Sequence, residues 1–297
     1  MIPLALITGF LGSGKTTLLK QLARRHRGRK IVWLVNEFSA RDVDAAVLGG
    51  ETGDVVSIVG GSIFCRCLVT EFIASLRDLP ARFGTPAAPV EGVVVEASGM
   101  ANPAVAGLML REAQLDSLYR LANIVAIADP GTLLKLLHTL PNIRAQIEAA
   151  QQILLNKTDL HPPALIAQTE IALHEINPAA PITRTSYCAA EIELFGTAPA
   201  AQVHGELAPC RDPNFESFAW TPPATLDLDR LRAAIAAAGD DVFRIKGFVR
   251  SGGGSLHIDY SSSGWQQEPA STARTAELVF IVRRGCAEKI QHALMRL

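Results

Sequence analysis

The chain contains no apolar run near the roughly 18 residues that a membrane-spanning helix needs, so no such helix is expected. It has no surplus of either charge. Lys and Arg number 28 against 29 Asp and Glu, a formal net charge of −1. That balance excludes a protein built mainly to neutralise nucleic-acid phosphates. Neither nucleic acid nor a membrane is therefore expected as a partner. Cysteine is scarce, with 5 residues in a chain of 297. An odd, thinly spread set fits a reducing cytoplasm and not a disulfide framework. The 7 histidines are scattered, and none makes a metal-binding pair by its spacing. No internal repeat is present. Residues 1–6 are apolar but carry no basic leader and run into a glycine-rich turn, so they read as a strand and not a signal peptide. What the chain does have is apolar material. Hydrophobic residues make up 48% and charged residues 19%, enough to bury a full core in one large domain or two ordinary ones.

Short β-type apolar runs recur at 3–8, 31–36, 55–59, 92–96, 124–129 and 153–156. Stretches of helical spacing lie between most of them, at 16–27, 69–79, 132–140 and 164–176. Strands that are apolar throughout are covered on both faces. Their alternation with helices predicts an α/β domain: a mostly parallel sheet flanked by helices. Right-handed crossovers then gather the loops that follow the strands along one edge, where ligands bind. The pattern changes near Gly196. Residues 196–214 are rich in Ala, Pro and Gly and read as a linker between a domain at 1–195 and a second at 215–297. The second has strands at 215–220, 242–250, 256–260 and 275–282, helices at 227–238 and 286–297, and a tight turn at 252–254. It reads as a smaller α+β domain.

Four motifs carry chemistry. Gly9-Phe10-Leu11-Gly12-Ser13-Gly14-Lys15-Thr16 fits the phosphate-binding loop G-x-x-x-x-G-K-[ST], between a strand and a helix. Gly9, Gly12, Ser13 and Gly14 let backbone N–H groups turn toward phosphate oxygens. The helix opening with Lys15, Thr16 and Thr17 adds its positive end. Lys15 should reach the β- and γ-phosphates, and the Thr16 hydroxyl should bind Mg²⁺. Asn156-Lys157-Thr158-Asp159 ends a strand and fits N-K-x-D. The Asp159 carboxylate can accept two hydrogen bonds from guanine that adenine cannot supply. Asn156 holds the loop and the base, and the Lys157 stem packs on the ring. Glu96 ends a buried strand, with Gly99 three residues on. An acid there holds Mg²⁺, and a backbone N–H beyond it senses the γ-phosphate. Lys15, Thr16 and Glu96 are the catalytic candidates. Finally, Cys65 and Cys67 flank Arg66. They can supply two thiolates to Zn²⁺ or Co²⁺, and two buried structural cysteines would give the same pattern.

In order, G-F-L-G-S-G-K-T-T, Asn36-Glu37-Phe38, C-R-C, Glu96–Pro103 and N-K-T-D resemble the CobW-like P-loop GTPases, relatives of the urease and hydrogenase accessory GTPases. The likeness resumes at Arg244-Ile245-Lys246-Gly247-Phe248, Gly264-Trp265 and Glu277-Leu278-Val279-Phe280-Ile281. The resemblance implies a P-loop NTPase fold and GTP hydrolysis with Mg²⁺. It also implies a metallochaperone that delivers zinc or cobalt to a client metalloprotein, with self-association as a further possibility. It implies a switch region around Glu37 and Asp44, and a metal site of Cys65, Cys67 and a carboxylate such as Glu37. The chain departs from the family's C-x-C-C pattern, since Leu68 stands at the third cysteine position. Ser39 replaces the usual glycine, and 196–214 holds only His204 where many members are histidine-rich. An alternative reading is therefore a GTP-dependent assembly factor that acts through protein contacts without a transition-metal site of its own.

Overall fold

The computed structural model describes residues 1–37, 54–59, 62–65, 68–196, 214–223, 226–251, 254–261, 264–270 and 276–297. It divides into two units, Met1–Cys210 and Arg211–Leu297.

In the first unit the strands are β1 (Ile2–Gly9), β2 (Ile31–Glu37), β3 (Val55–Val59), β4 (Gly92–Glu96), β5 (Tyr119–Ala128), β6 (Gln152–Leu155) and β7 (Ile182–Arg184). They form one sheet in the order β3-β2-β4-β1-β5-β6-β7, and every pair is parallel. The expected α/β architecture is thus present. Alternation along each strand splits the core between the two faces. Leu4, Leu6, Val93 and Val95 face Phe72 and Leu76 of α2 (Val69–Phe83). Ala5, Ile7 and Val94 face Leu18 and Leu22 of α1 (Lys15–Arg25). The remaining helices of this unit are α3 (Ala106–Glu112), α4 (Pro130–Thr139), α5 (Pro141–Glu148) and α6 (Pro163–Ile176). The register aligns Ile7 with Glu96 and Gly9 with Ile127. The central strands β4, β1 and β5 therefore end side by side, and the loops beyond them converge at the sheet's carboxyl edge.

The second unit is an antiparallel sheet in the order β11-β10-β9-β12-β8. Its strands are β8 (Phe215–Trp220), β9 (Val242–Ser251), β10 (Gly254–Ser261), β11 (Gly264–Pro269) and β12 (Glu277–Arg283). Helices α7 (Leu228–Ala238) and α8 (Ala287–Leu294) supply Leu231, Ile235, Ile290 and Leu294 to a core with Ile245, Leu278 and Phe280. Asp227 caps α7, accepting hydrogen bonds from the backbone N–H of Asp229 (2.9 Å) and Arg230 (3.2 Å).

Several elements differ from expectation. β5 starts at Tyr119 and not at 124, because its first residues are only partly apolar. β11 reads Gly-Trp-Gln-Gln-Glu-Pro and is mostly exposed. It is a polar edge strand held by backbone pairing to β10, which leaves no hydrophobic alternation to read. β7, α3 and α5 are short and were not expected. Residues 252–253 of the expected turn and most of the linker at 196–214 lie outside the described residues. Among the described residues, no helix is long and apolar enough to cross a membrane.

Candidate functional site at the carboxyl edge of the parallel sheet

The loop joining β1 to α1 is shaped by glycine. Gly9, Gly12 and Gly14 have φ of +142°, +78° and +119°, a region side chains disfavour. Space is closed as well. A Cβ on Gly9 would lie 2.4 Å from the Ile127 carbonyl oxygen, and one on Gly14 would lie 2.5 Å from Asn156 Nδ2. Helix α1 begins without a side-chain cap and without an acidic residue in its first turn. Its first N–H groups and the positive end of its dipole are thus uncompensated by the helix itself and suit an anion. Lys15 is buried, and its ammonium donates to the carbonyls of Gly9 (2.9 Å) and Phe10 (3.2 Å). The Ser13 hydroxyl is buried and makes no hydrogen bond among the described residues. Thr16 and Thr17 are half-buried on the first helical turn.

Glu96 is 5% exposed at the tip of β4. A carboxylate this deep calls for positive charge nearby. Its carboxylate and the Thr16 hydroxyl are both oxygen donors of the kind that suits Mg²⁺. The loop beyond Glu96 touches the β1–α1 loop: a Cβ on Gly99 would lie 2.7 Å from the Leu11 nitrogen. From the other side α5 holds this loop. Gln146 donates to the carbonyls of Gly99 (3.1 Å) and Ala101 (3.0 Å), and Asn142 to that of Met100 (2.9 Å). Ser98 presents a second buried hydroxyl that makes no hydrogen bond among the described residues.

Asn156, at the end of β6, is 2% exposed. Its Nδ2 donates to the Ser13 carbonyl (2.8 Å), and its Oδ1 accepts from the Cys188 backbone N–H (2.9 Å). It staples three loops together. Lys157 has φ of +62° and donates to Asp129 Oδ2 at 2.9 Å. Asp159 is exposed on the turn that follows.

Sequence reasoning left out two features. Asp129 reads as a structural strand-end residue, and it does cap α4 by accepting from Gly131 N–H (2.9 Å). It also pairs with Lys157 and lies 3.0 Å from His161 Nε2. Burial pushes its carboxyl up, but the Lys157 charge and the hydrogen bonds outweigh that and hold it below the usual carboxylate range. Its signal was the Asp-Pro-Gly sequence, an N-cap with proline at the first helical position. The second feature is the loop after β7. Tyr187 and Cys188 are consecutive left-handed residues, with φ of +55° and +57°. Gln21 and Arg25 of α1 donate to the carbonyls of Tyr187 and Ala190. Burial pushes the Cys188 thiol up to about 12, so it is a packing group and not a thiolate. Three-residue β7 is too short to announce this loop in sequence.

The proposed transition-metal ligands do not assemble among the described residues, which hold no cluster of three His, Cys, Asp or Glu able to bind a metal. The Glu37 side chain and Cys67 lie outside them. Cys65 is 2% exposed and disulfide-bonded. In that state its sulfur becomes a ligand only after reduction.

Two family models match the chain: the CobW/HypB/UreG nucleotide-binding domain over residues 3–184 and the cobalamin synthesis protein CobW C-terminal domain over 215–297. The zinc chaperone YjiA of Escherichia coli is 30% identical over 182 residues, 61% of this chain and 56% of that protein. The zinc-regulated GTPase metalloprotein activator 1 of Saccharomyces cerevisiae is 28% identical over 210 residues, 63% of this chain and 48% of that protein. The alignments thus span about half the length of these relatives. The crystal structure of Zn(II)-bound YjiA GTPase from E. coli aligns with 100% of this chain and 98% of its own, at 19% identity and a TM-score of 0.49. On the match over residues 3–184, the chain belongs to the CobW/HypB/UreG family.

Proposed function

We propose that the chain is a GTPase that couples its nucleotide state to the binding and delivery of a transition metal, zinc or cobalt, to a client metalloprotein. The observation that carries this reading is convergence. A glycine-built anion cradle, a buried carboxylate and the Asn156–Asp159 loop meet at the ends of neighbouring strands, and buried Ser13 and Ser98 hydroxyls there make no hydrogen bond among the described residues. In this reading the amides of 12–16 and the Lys15 ammonium bind the β- and γ-phosphates. The Gly99 amide reads the γ-phosphate, and Asp159 selects guanine. Thr16 and Glu96 would hold Mg²⁺, which spreads the negative charge of the phosphates. The metal cargo would bind at reduced Cys65 and Cys67 with Glu37 or water completing the site. Hydrolysis would remove the γ-phosphate contacts and loosen that loop. The alternative without a metal site draws on the Leu68 substitution and on the disulfide at Cys65. A Zn²⁺ titration of the reduced protein against a competing chelator, with and without a non-hydrolysable GTP analogue, tests the proposal. The reading predicts nucleotide-enhanced binding that Cys65→Ser removes. Zn²⁺ binding insensitive to both would overturn the metal role and leave the assembly-factor reading.

A further inference from the structure

The nucleotide-facing loop and the cysteine loop share one buried side chain. Asn36 lies near the end of β2 and is 6% exposed. Its Oδ1 accepts from the backbone N–H of Ser98 at 3.2 Å and from that of Ile63 at 3.1 Å. Its Nδ2 faces the Ile58 carbonyl at 3.4 Å. Ser98 adjoins Gly99, whose backbone lies against Leu11 of the β1–α1 loop. Ile63 opens the turn that carries Cys65, in which the Cys65 N–H donates to the Ser62 carbonyl (2.9 Å). That turn is packed into the core. Ile63 and Phe64 are buried, and the Phe64 ring meets Phe72 edge-on at 5.9 Å. The Cys65 carbonyl accepts from Val69 N–H at the start of α2 (3.0 Å). A backbone shift at Ser98 must therefore stretch a bond to the oxygen that also fixes Ile63.

We infer that Asn36 is a positioning residue that couples the two loops: one amide oxygen transmits the state of the γ-phosphate loop to the turn bearing Cys65. The inference rests on the function proposed above. It adds the specific link through which nucleotide and metal would exchange free energy. A side chain bridging two loops near their middle suits this task because neither bond reaches solvent, where water would replace it.

The test is a thermodynamic cycle on the full chain under reducing conditions. Zn²⁺ affinity is measured by chelator competition without and with a non-hydrolysable GTP analogue and Mg²⁺, and nucleotide affinity without and with Zn²⁺. Reciprocity requires the two factors to agree. In wild type a factor of about tenfold or more is expected. Asn36→Ala should bring it to within about twofold of unity. Asn36→Asp keeps the acceptor but loses the donor that faces the Ile58 carbonyl. It should restore coupling above that of Asn36→Ala, and in both variants the affinities for Zn²⁺ alone and nucleotide alone should stay near wild type, which a merely structural role would not leave in place. Equal coupling in wild type and Asn36→Ala overturns the inference while leaving the proposed function standing. Absence of coupling in wild type overturns both. If Asn36→Ala does not fold, amide hydrogen exchange on the wild type decides. Nucleotide should slow Ile63 and Ser98 together, and slowing of Ser98 alone would refute the link.

Discussion

At the scale of single residues, two lysines of the proposed nucleotide site have different partners. Lys15 is folded over its own loop, donating to Gly9 and Phe10. Lys157 is committed to Asp129. Lys15→Ala should reduce GTP turnover by about a hundredfold or more, measured as phosphate release. Unchanged hydrolysis would remove that lysine from the chemistry. Asp129→Asn keeps the cap on α4 but removes the countercharge beside Lys157, and should cost about 1–3 kcal/mol in urea unfolding. The pH dependence follows from the direction of the shift. The folded carboxyl titrates below its unfolded value, which is near 4. Its contribution is then fully present above about pH 4 and is lost as pH falls through the folded value. The gap between wild type and Asp129→Asn should close in acid, as pH falls through the folded value of the carboxyl. The proposed roles of Lys15 and Asp159 could be formulated from sequence because they rest on side-chain chemistry at fixed spacing. That of Asp129 could not, because its partner Lys157 comes from a different strand end.

At the scale of elements, the site is a set of loops stapled by buried amide side chains. Asn156 ties the β1–α1 loop to the loop after β7, Gln146 holds the loop after β4, and Asn36 bridges that loop to the cysteine turn. Each staple joins segments distant in sequence. A single sequence can show that such a residue is present, but not which loops it will join. The strands themselves were legible where both faces are buried, as in 92–96, because an unbroken apolar run leaves little choice. Polar β11 and three-residue β7 were not, since backbone pairing and not hydrophobic pattern holds them. Asn156→Ala would strand the Ser13 carbonyl and the Cys188 N–H without their described partner, for about 2–4 kcal/mol. It should weaken GTP binding in the same step, read by chemical denaturation and by calorimetry on one preparation. Loss of stability with unaltered nucleotide affinity would show that the staple does not shape the cradle.

At the scale of the molecule, two units carry separate cores. One is a parallel sheet covered on both faces, and the other is an antiparallel sheet with α7 and α8 against it. The nucleotide elements all lie in the first. Scanning calorimetry should therefore show a transition that saturating Mg-GTP analogue raises and one that it leaves in place. At about 100 times Kd the ligand adds about 2.7 kcal/mol, a rise of about 5–10 °C for a unit of this size. The account's central claim is that this sheet edge is a guanine-nucleotide site. Isothermal titration of the full chain with GTP and with ATP, each with Mg²⁺, tests it most directly. The account predicts one GTP site per chain and ATP binding weaker by about a hundredfold or more. Equal affinity for the two nucleotides, or no heat from either, would contradict it.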